Sequence, residues 1–274
     1  MTDYYGNQAS QQVTRRLVSA ESEVRTVALV GPSYLGKKSF LKQEVEAKIH
    51  DSDMFLADNS IGAAREAIGF CDSLPLFSSY RTVLIDCADQ LSEPAQDAYL
   101  KLCEESRTSR VFFILEDDSH LSEALSSRIQ HIIRWFKLSD DNIANFCDVS
   151  GKNFTDLMVK LCDGRPGLCG YMNQSYVDLY DEVRDVITQK VNGITRSTPT
   201  VINDLKGKRS VDRDIISIVC RKAAESLLLE VQNSFESPVR GGIKAFLNFS
   251  SIVTEVPSIN ATVHWKRACV GCQV

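Results

Sequence analysis

Short runs of consecutive apolar residues punctuate the first half of the chain: Arg25–Val30, Met54–Ala57, Thr82–Ile85, Arg110–Leu115 and Gln130–Ile133. The runs at Arg25–Val30, Thr82–Ile85 and Arg110–Leu115 lack the apolar–polar alternation of a half-exposed strand, and so predict strands buried on both faces, as in a parallel sheet; Met54–Ala57 and Gln130–Ile133 read simply as short strands. Between them the apolar positions recur at helical spacing, predicting helices over Tyr5–Ala20, Lys38–Ile49, Ser60–Cys71 and Leu91–Glu105, with a short turn of helix at Ala124–Leu125. In the Leu91–Glu105 stretch Ser92 suits an N-cap, while Ala95, Ala98, Tyr99, Leu102 and Cys103 fall on one face that would pack on the sheet. Strand and helix in alternation predict an α/β fold, in which chemistry collects at the carboxyl ends of the strands. Asp86 and the segment after Leu115 are therefore expected to face one crevice.

Beyond Phe136-Lys137-Leu138 the strand signal stops. Helices are predicted over Asp140–Val149, with Ser139 as cap, over Asn153–Cys162, and from Pro166 onward. Polar breaks at 192–199 and 206–209 precede further helical periodicity from Asp212, over Val239–Phe249 and over Ile259–Ala268. This divides the chain into a sheet domain (1–136), a small three-helix unit (137–192) and a C-terminal helical domain (200–274).

Composition narrows the function. At 274 residues, 43% hydrophobic and 24% charged, the chain can bury a core, and it carries neither a signal-like leader nor an apolar run of spanning length, so a soluble intracellular protein is expected, with no membrane partner. A net charge of -5 argues against a free-standing nucleic-acid binder, whose affinity comes mainly from neutralised phosphates. The nine cysteines are scattered, several on apolar helical faces, and suit reduced core thiols. Cys269-x-x-Cys272 has ligand spacing but no second pair, so no metal site is predicted.

The chemistry-bearing stretch is Gly31-Pro32-Ser33-Tyr34-Leu35-Gly36-Lys37-Lys38-Ser39, set between a strand and a helix. In G-x-x-x-x-G-K-[ST] loops the backbone N–H groups and the helix N-terminus cradle phosphate, Lys neutralises it, and the hydroxyl holds magnesium. Gly31, Gly36 and Lys37 meet this pattern, but Lys38 stands at the hydroxyl position and Ser39 comes one residue late, turned by about 100° on a helix. Asp86 ends its strand where a P-loop ATPase orders the magnesium shell, yet Cys87 takes the place of the water-activating Glu, and Asp89 follows as an approach charge to the next helix. Leu115-Glu116-Asp117-Asp118 sets acids where a water-orienting Asn or Thr is common, and adjacent carboxylates repel phosphate.

Taken in order, the Gly31–Lys37 loop, Ile61-x-x-x-Arg65-Glu66, Val83-Leu84-Ile85-Asp86, Ala95-x-x-Ala98-x-Leu100-Lys101-x-x-Glu104-Glu105 and Leu125-Ser126-Ser127-Arg128 resemble the AAA+ clamp-loader family over roughly Gly6 to Gln174. Within it the chain most resembles delta-prime subunits of bacterial DNA polymerase III or a phage-encoded relative. The resemblance implies an AAA+ P-loop sheet domain, a helical lid and a collar-like C-terminal domain. It implies a cytoplasmic subunit of a hetero-oligomeric ring that acts with other clamp-loader subunits, a sliding clamp and primed DNA, itself hydrolysing no ATP. No cofactor is then required, and ATP at Gly31, Gly36, Lys37, Ser39 and Asp86 stays an open alternative. The Ser-Arg-Cys of the family, whose Arg reaches a neighbour's ATP, matches Ser127-Arg128-Ile129, with Ile in place of Cys; this makes Arg128 a catalytic residue in trans. The zinc-binding Cys cluster and the N-terminal Arg-Pro segment of relatives are missing. Arg165 precedes the third lid helix, where active relatives carry a phosphate sensor, and reads as structural. Two other readings stay open: an active AAA+ ATPase motor and a nucleotide-independent scaffold.

Overall fold

The computed structural model describes residues 5–19, 22–105, 108–188, 202, 210–231, 237–255 and 261–271. The polar breaks at 192–199 and 206–209 and the second cysteine of the Cys269-x-x-Cys272 pair lie outside them. By contacts the chain forms two compact units, Met1–Leu138 and Ser139–Val274.

Five parallel strands make the first unit: β1 (Thr26–Val30), β2 (Met54–Ala57), β3 (Arg81–Ile85), β4 (Ser109–Leu115) and β5 (His131–Arg134), in the order β2-β3-β4-β1-β5. The middle strand β4 is in register with β1 through Ala28↔Phe113 and with β3 through Val83↔Val111. All residues of β1, β3 and β4 are buried, which is why these strands read as unbroken apolar runs. Side chains still alternate between two cores. Val111, Phe113 and Leu115 join Ala28, Val30, Val83 and Ile85 beneath helices α3 (Ile61–Cys71), α4 (Glu93–Glu105) and α5 (Glu123–Arg128). Phe112 and Ile114 join Val27, Leu29, Leu84 and Trp135 beneath α1 (Gln8–Val18) and α2 (Lys37–Glu46).

Caps account for several helix starts. Ser60 Oγ accepts from Ala63 N (3.1 Å), and the Ser122 hydroxyl accepts from Leu125 N (3.3 Å). At α4 the Ser92 carbonyl accepts the first helical bonds, from Ala95 N and Gln96 N. The last strand lies one residue beyond the expected Gln130–Ile133, because the Gln130 side chain accepts from Arg25 N (2.6 Å) and holds that residue at the strand's entrance.

The second unit is helical: α6 (Asp140–Val149), α7 (Asp156–Leu161), α8 (Gln174–Thr188), α9 (Ser210–Val231), α10 (Ser237–Glu255) and α11 (Ala261–Gly271). Ser139 caps α6, as expected. α7 starts at its Thr155 cap rather than at Asn153. The helix expected from Pro166 onward is instead a 3-10 turn, Pro166–Gly170, with α8 beginning at Gln174. The Cys169 carbonyl accepts from Lys152 Nζ (2.8 Å) and Tyr171 N turns back to Leu168 O, so α-helical bonding does not propagate. α8 packs on α9, with Tyr176 donating to Asp212 (2.8 Å) and Arg184 to Ser226 (2.6 Å). Phe246, Phe249 and Trp265 form an edge-to-face cluster between α10 and α11.

Candidate phosphate-loop site and the opposite rim

The loop Gly31–Gly36 springs from the carboxyl end of β1 and hands over to α2 at Gly36, whose φ of 91° is the left-handed conformation that glycine adopts freely. Gly31 has φ 149°, and a Cβ there would lie 2.2 Å from the Trp135 carbonyl oxygen, so the β1 and β5 ends close on this residue with no room for a side chain. The backbone thus has the strand–loop–helix course that the sequence predicts.

The side chains depart from a working nucleotide site. Lys37 is buried, and its ammonium donates to the carbonyls of Gly31 and Pro32 (2.7 Å to the latter), within its own loop. Lys38 Nζ donates to Asp86 Oδ2 at 2.7 Å, so an ammonium sits on the carboxylate that would order a metal's water shell. Ser39 is exposed on α2. The donor set at this rim therefore does not fit a magnesium–triphosphate group: the hydroxyl ligand is replaced by a cation, and that cation holds the acid. Among the described residues no three His, Cys, Asp or Glu side chains gather as a metal site.

Acids crowd the same rim. Asp89, on a 3-10 turn (Ala88–Gln90), accepts from Glu116 N (3.2 Å), which brings the ends of β3 and β4 to one crevice as expected. Cys87 has φ 50°, and its thiol, though the residue is exposed, is pushed up to about 11 by partial desolvation and then by the charges of Asp86 and Asp89, with Lys38 opposing; a thiol so held is no general base. Asp117 is held below the ordinary carboxylate range by hydrogen bonds from the Ser119 backbone and hydroxyl. Arg134, at the end of β5 opposite Val30, pairs with Asp118 at 2.8 Å. The structure thus sets Arg134 on the phosphate-loop rim.

Arg128 lies at the other rim. It is the last residue of α5, and its carbonyl accepts from Thr26 Oγ1 (2.6 Å) at the amino end of β1. Its half-exposed guanidinium donates twice to Glu104 Oε1, from Nε at 2.9 Å and Nη2 at 2.7 Å. The pair borders an open recess of about 740 Å³ that Arg25, Tyr80 and Cys103 also line. Gly31, Gly36, Lys37, Ser39 and Asp86 are thus brought to one end of the sheet, and Arg128 is separated from them by the length of the strands. Arg165 is mostly buried and pairs with Asp163 (3.5 Å), which Arg221 (3.0 Å) and Lys222 (3.1 Å) also hold, so it is tied into its own unit's packing. Two partners escaped sequence reading: Lys38 for Asp86 and Glu104 for Arg128, the second visible only as part of a motif. The 48 positions between Lys38 and Asp86 put that pair beyond any local pattern.

No family model and no curated protein matches the sequence. Among solved structures, a DNA polymerase III gamma subunit-related protein from Thermotoga maritima is similar over 96% of this chain and 98% of its own, at 13% identity and a TM-score of 0.54. A variant of RuvB from Thermotoga maritima is similar over 92% of this chain and 86% of its own, at 14% identity and a TM-score of 0.50. At such identities the likeness is one of fold. Among the described residues no helix is long and apolar enough to cross a membrane.

Proposed function

We propose that this chain, whose fold is the AAA+ clamp-loader-like one, is a non-hydrolysing, delta-prime-like subunit of a DNA sliding-clamp loader acting in replication. The observation that carries the reading is the Lys38–Asp86 pair: the residue type that costs the loop its magnesium ligand also occupies the neighbouring acid. Cys87 in the activating position and the acids after Leu115 support it. So does Arg128, a half-exposed cation at the rim away from the chain's own phosphate loop, where it could meet a neighbour's nucleotide. Supplied in trans, a guanidinium stabilises charge developing on the transferred phosphoryl group and is worth about a thousandfold or more in turnover. On this reading the protein is cytoplasmic, residues 137–192 are the lid and 200–274 the collar of a hetero-oligomeric ring, and primed DNA and the clamp are met by the whole complex.

The test is an assembled complex carrying Arg128→Ala. Assembly should persist while DNA- and clamp-stimulated ATP hydrolysis falls, and Arg128→Lys should rescue poorly, because an ammonium cannot present two parallel donors. Arg16→Ala, on the exposed side of α1, is the control. If the Arg128 variant hydrolyses like wild type, the trans finger is wrong and a nucleotide-independent scaffold is favoured. The retained Gly31, Gly36, Lys37 and Asp86 favour a second reading, an active motor, which requires the isolated chain to turn over ATP and Lys37→Ala to abolish it.

A further inference from the structure

Arg128 is held twice, by two different elements. Its carbonyl accepts from the hydroxyl of Thr26, a residue buried at the amino end of β1, and the same hydroxyl oxygen accepts from Gln130 N (3.2 Å). The backbone at the end of α5 is thereby tied to the sheet. The guanidinium is tied instead to Glu104, in the last turn of α4: Nε donates to Oε1 at 2.9 Å, and Nη2 lies 2.7 Å from the same oxygen. A guanidinium is a planar fork of five N–H donors, in which Nε and Nη2 form the side edge while Nη1 and Nη2 form the end. Glu104 takes the side edge. Among the described residues the guanidinium's contacts all go to this one carboxylate, which leaves the parallel pair of donors at its end for another acceptor.

Stability does not explain the pair. Its side chains are 50% and 41% exposed, and an ion pair so placed adds little to a fold. The two helices are already joined beneath it, where Leu125 of α5 is buried in one core with Tyr99 and Leu102 of α4. What the pair fixes is direction. An exposed arginine at a helix end is free to swing through many rotamers, and a trans-acting cation works only when its donors meet the phosphoryl oxygens in place; a misplacement of about 1 Å can cost about a hundredfold in rate. Glu104 is not drawn off by the lysine on its own helix, because Lys101 faces Glu105 (4.0 Å).

We propose that Glu104 is the positioning residue of the trans arginine: it aims the end donors of Arg128 at the phosphoryl oxygens of a neighbour's nucleotide and touches no nucleotide itself. The role rests on the trans-finger reading above; the pair rests on its two short contacts. The test is ATP hydrolysis by the assembled complex with clamp and primed DNA, for Glu104→Ala, Glu104→Gln, Arg128→Ala and the double variant Glu104→Ala, Arg128→Ala. Glu104→Ala should assemble and melt like wild type, lower kcat about tenfold and leave KM for ATP unchanged, since a contact made in the transition state is misaimed. Glu104→Gln sets a neutral oxygen in the same place and should stay within about threefold of wild type, the weaker acceptor still holding the side edge. In the Arg128→Ala background, Glu104→Ala should change nothing more, because its effect passes through Arg128 alone. If Arg128→Ala slows hydrolysis while Glu104→Ala leaves it unchanged or raises it, the positioning role is overturned and the finger stands. A further loss in the double variant, or a Gln variant as slow as the Ala one, overturns the role as well. If Arg128→Ala itself hydrolyses like wild type, the finger reading falls and the role of Glu104 falls with it.

Discussion

Replacing Asp53, fully buried just before β2, by Asn keeps the shape of the anchor that holds the loop between α3 and β3 and removes its charge. In wild type one carboxylate oxygen serves Leu76 N and the other serves both Phe77 N and Ser78 N. An amide offers one accepting oxygen, and its NH₂ group would confront a backbone donor, so at least one buried N–H is stranded, at about 1–3 kcal/mol. Arg81, 8% exposed and 3.8 Å away, also loses its counter-charge, and breaking a buried pair costs about 3–5 kcal/mol. The two terms describe overlapping interactions, so the expected loss is about 3–5 kcal/mol in all rather than their sum. The assay is urea unfolding followed by tryptophan fluorescence in a Trp265→Phe background. The chain has two tryptophans, and this leaves Trp135, 2% exposed in the sheet domain, as the reporter. The pH profile gives an independent check. Burial alone would raise the Asp53 carboxyl, but the backbone N–H bonds to Leu76, Phe77 and Ser78 outweigh it and hold the group below its ordinary 3.8. A depressed folded-state value means the contribution is complete above about 3.8 and is lost as the pH falls through the folded-state value; the variant should lack that acid limb. A loss under about 1 kcal/mol, with an unchanged acid limb, would refute the claim that charge holds this loop.

Three other substitutions bear on the remaining sites. Lys38→Thr frees Asp86 and restores a hydroxyl, so a fluorescent ATP analogue should gain magnesium-dependent binding, while steady-state hydrolysis stays absent because Cys87 is unchanged. Gly31→Ala drives a Cβ to 2.2 Å from the Trp135 carbonyl, and at φ 149° the backbone is strained as well; thermal melting should show a loss of about 1–3 kcal/mol or more. Asp163→Asn leaves Arg165, Arg221 and Lys222 facing one another and should cost about 2 kcal/mol, less than a fully buried pair because Arg221 and Lys222 are about one-third exposed; Trp265 fluorescence during urea unfolding reads it.

The sheet was legible in the sequence because β1, β3 and β4 are covered on both faces, which leaves unbroken apolar runs, and the phosphate loop because its glycine spacing is local. Strand and helix ends were less so: Gln130 looks like strand but caps its entrance, and Pro166 looks like a helix start but opens a 3-10 turn that Lys152 stops from growing. For the site, the sequence revealed that Lys38 removes a hydroxyl but not that its ammonium reaches Asp86. The Leu74–Tyr80 segment carries no periodic signal, only Pro75 as a breaker. Its anchor, Asp53, stands 23 to 25 positions away from the residues it holds, and neither its burial nor its three bonds leave a periodic trace.

Because all five strands run the same way, the sheet domain has a front and a back that cannot be exchanged by rotation. At its front the ammonium groups of Lys37 and Lys38 lie on the loop carbonyls and on Asp86, while at its back Arg128 is half-exposed and paired with Glu104. On the proposed reading, in a head-to-tail row of such domains this chain completes the site of the member behind it and offers none to the member ahead. On the proposed reading it is a terminator: a closed ring of n members that includes one copy holds at most n − 1 working sites, and the missing site marks a single seam whose position the other members can count from.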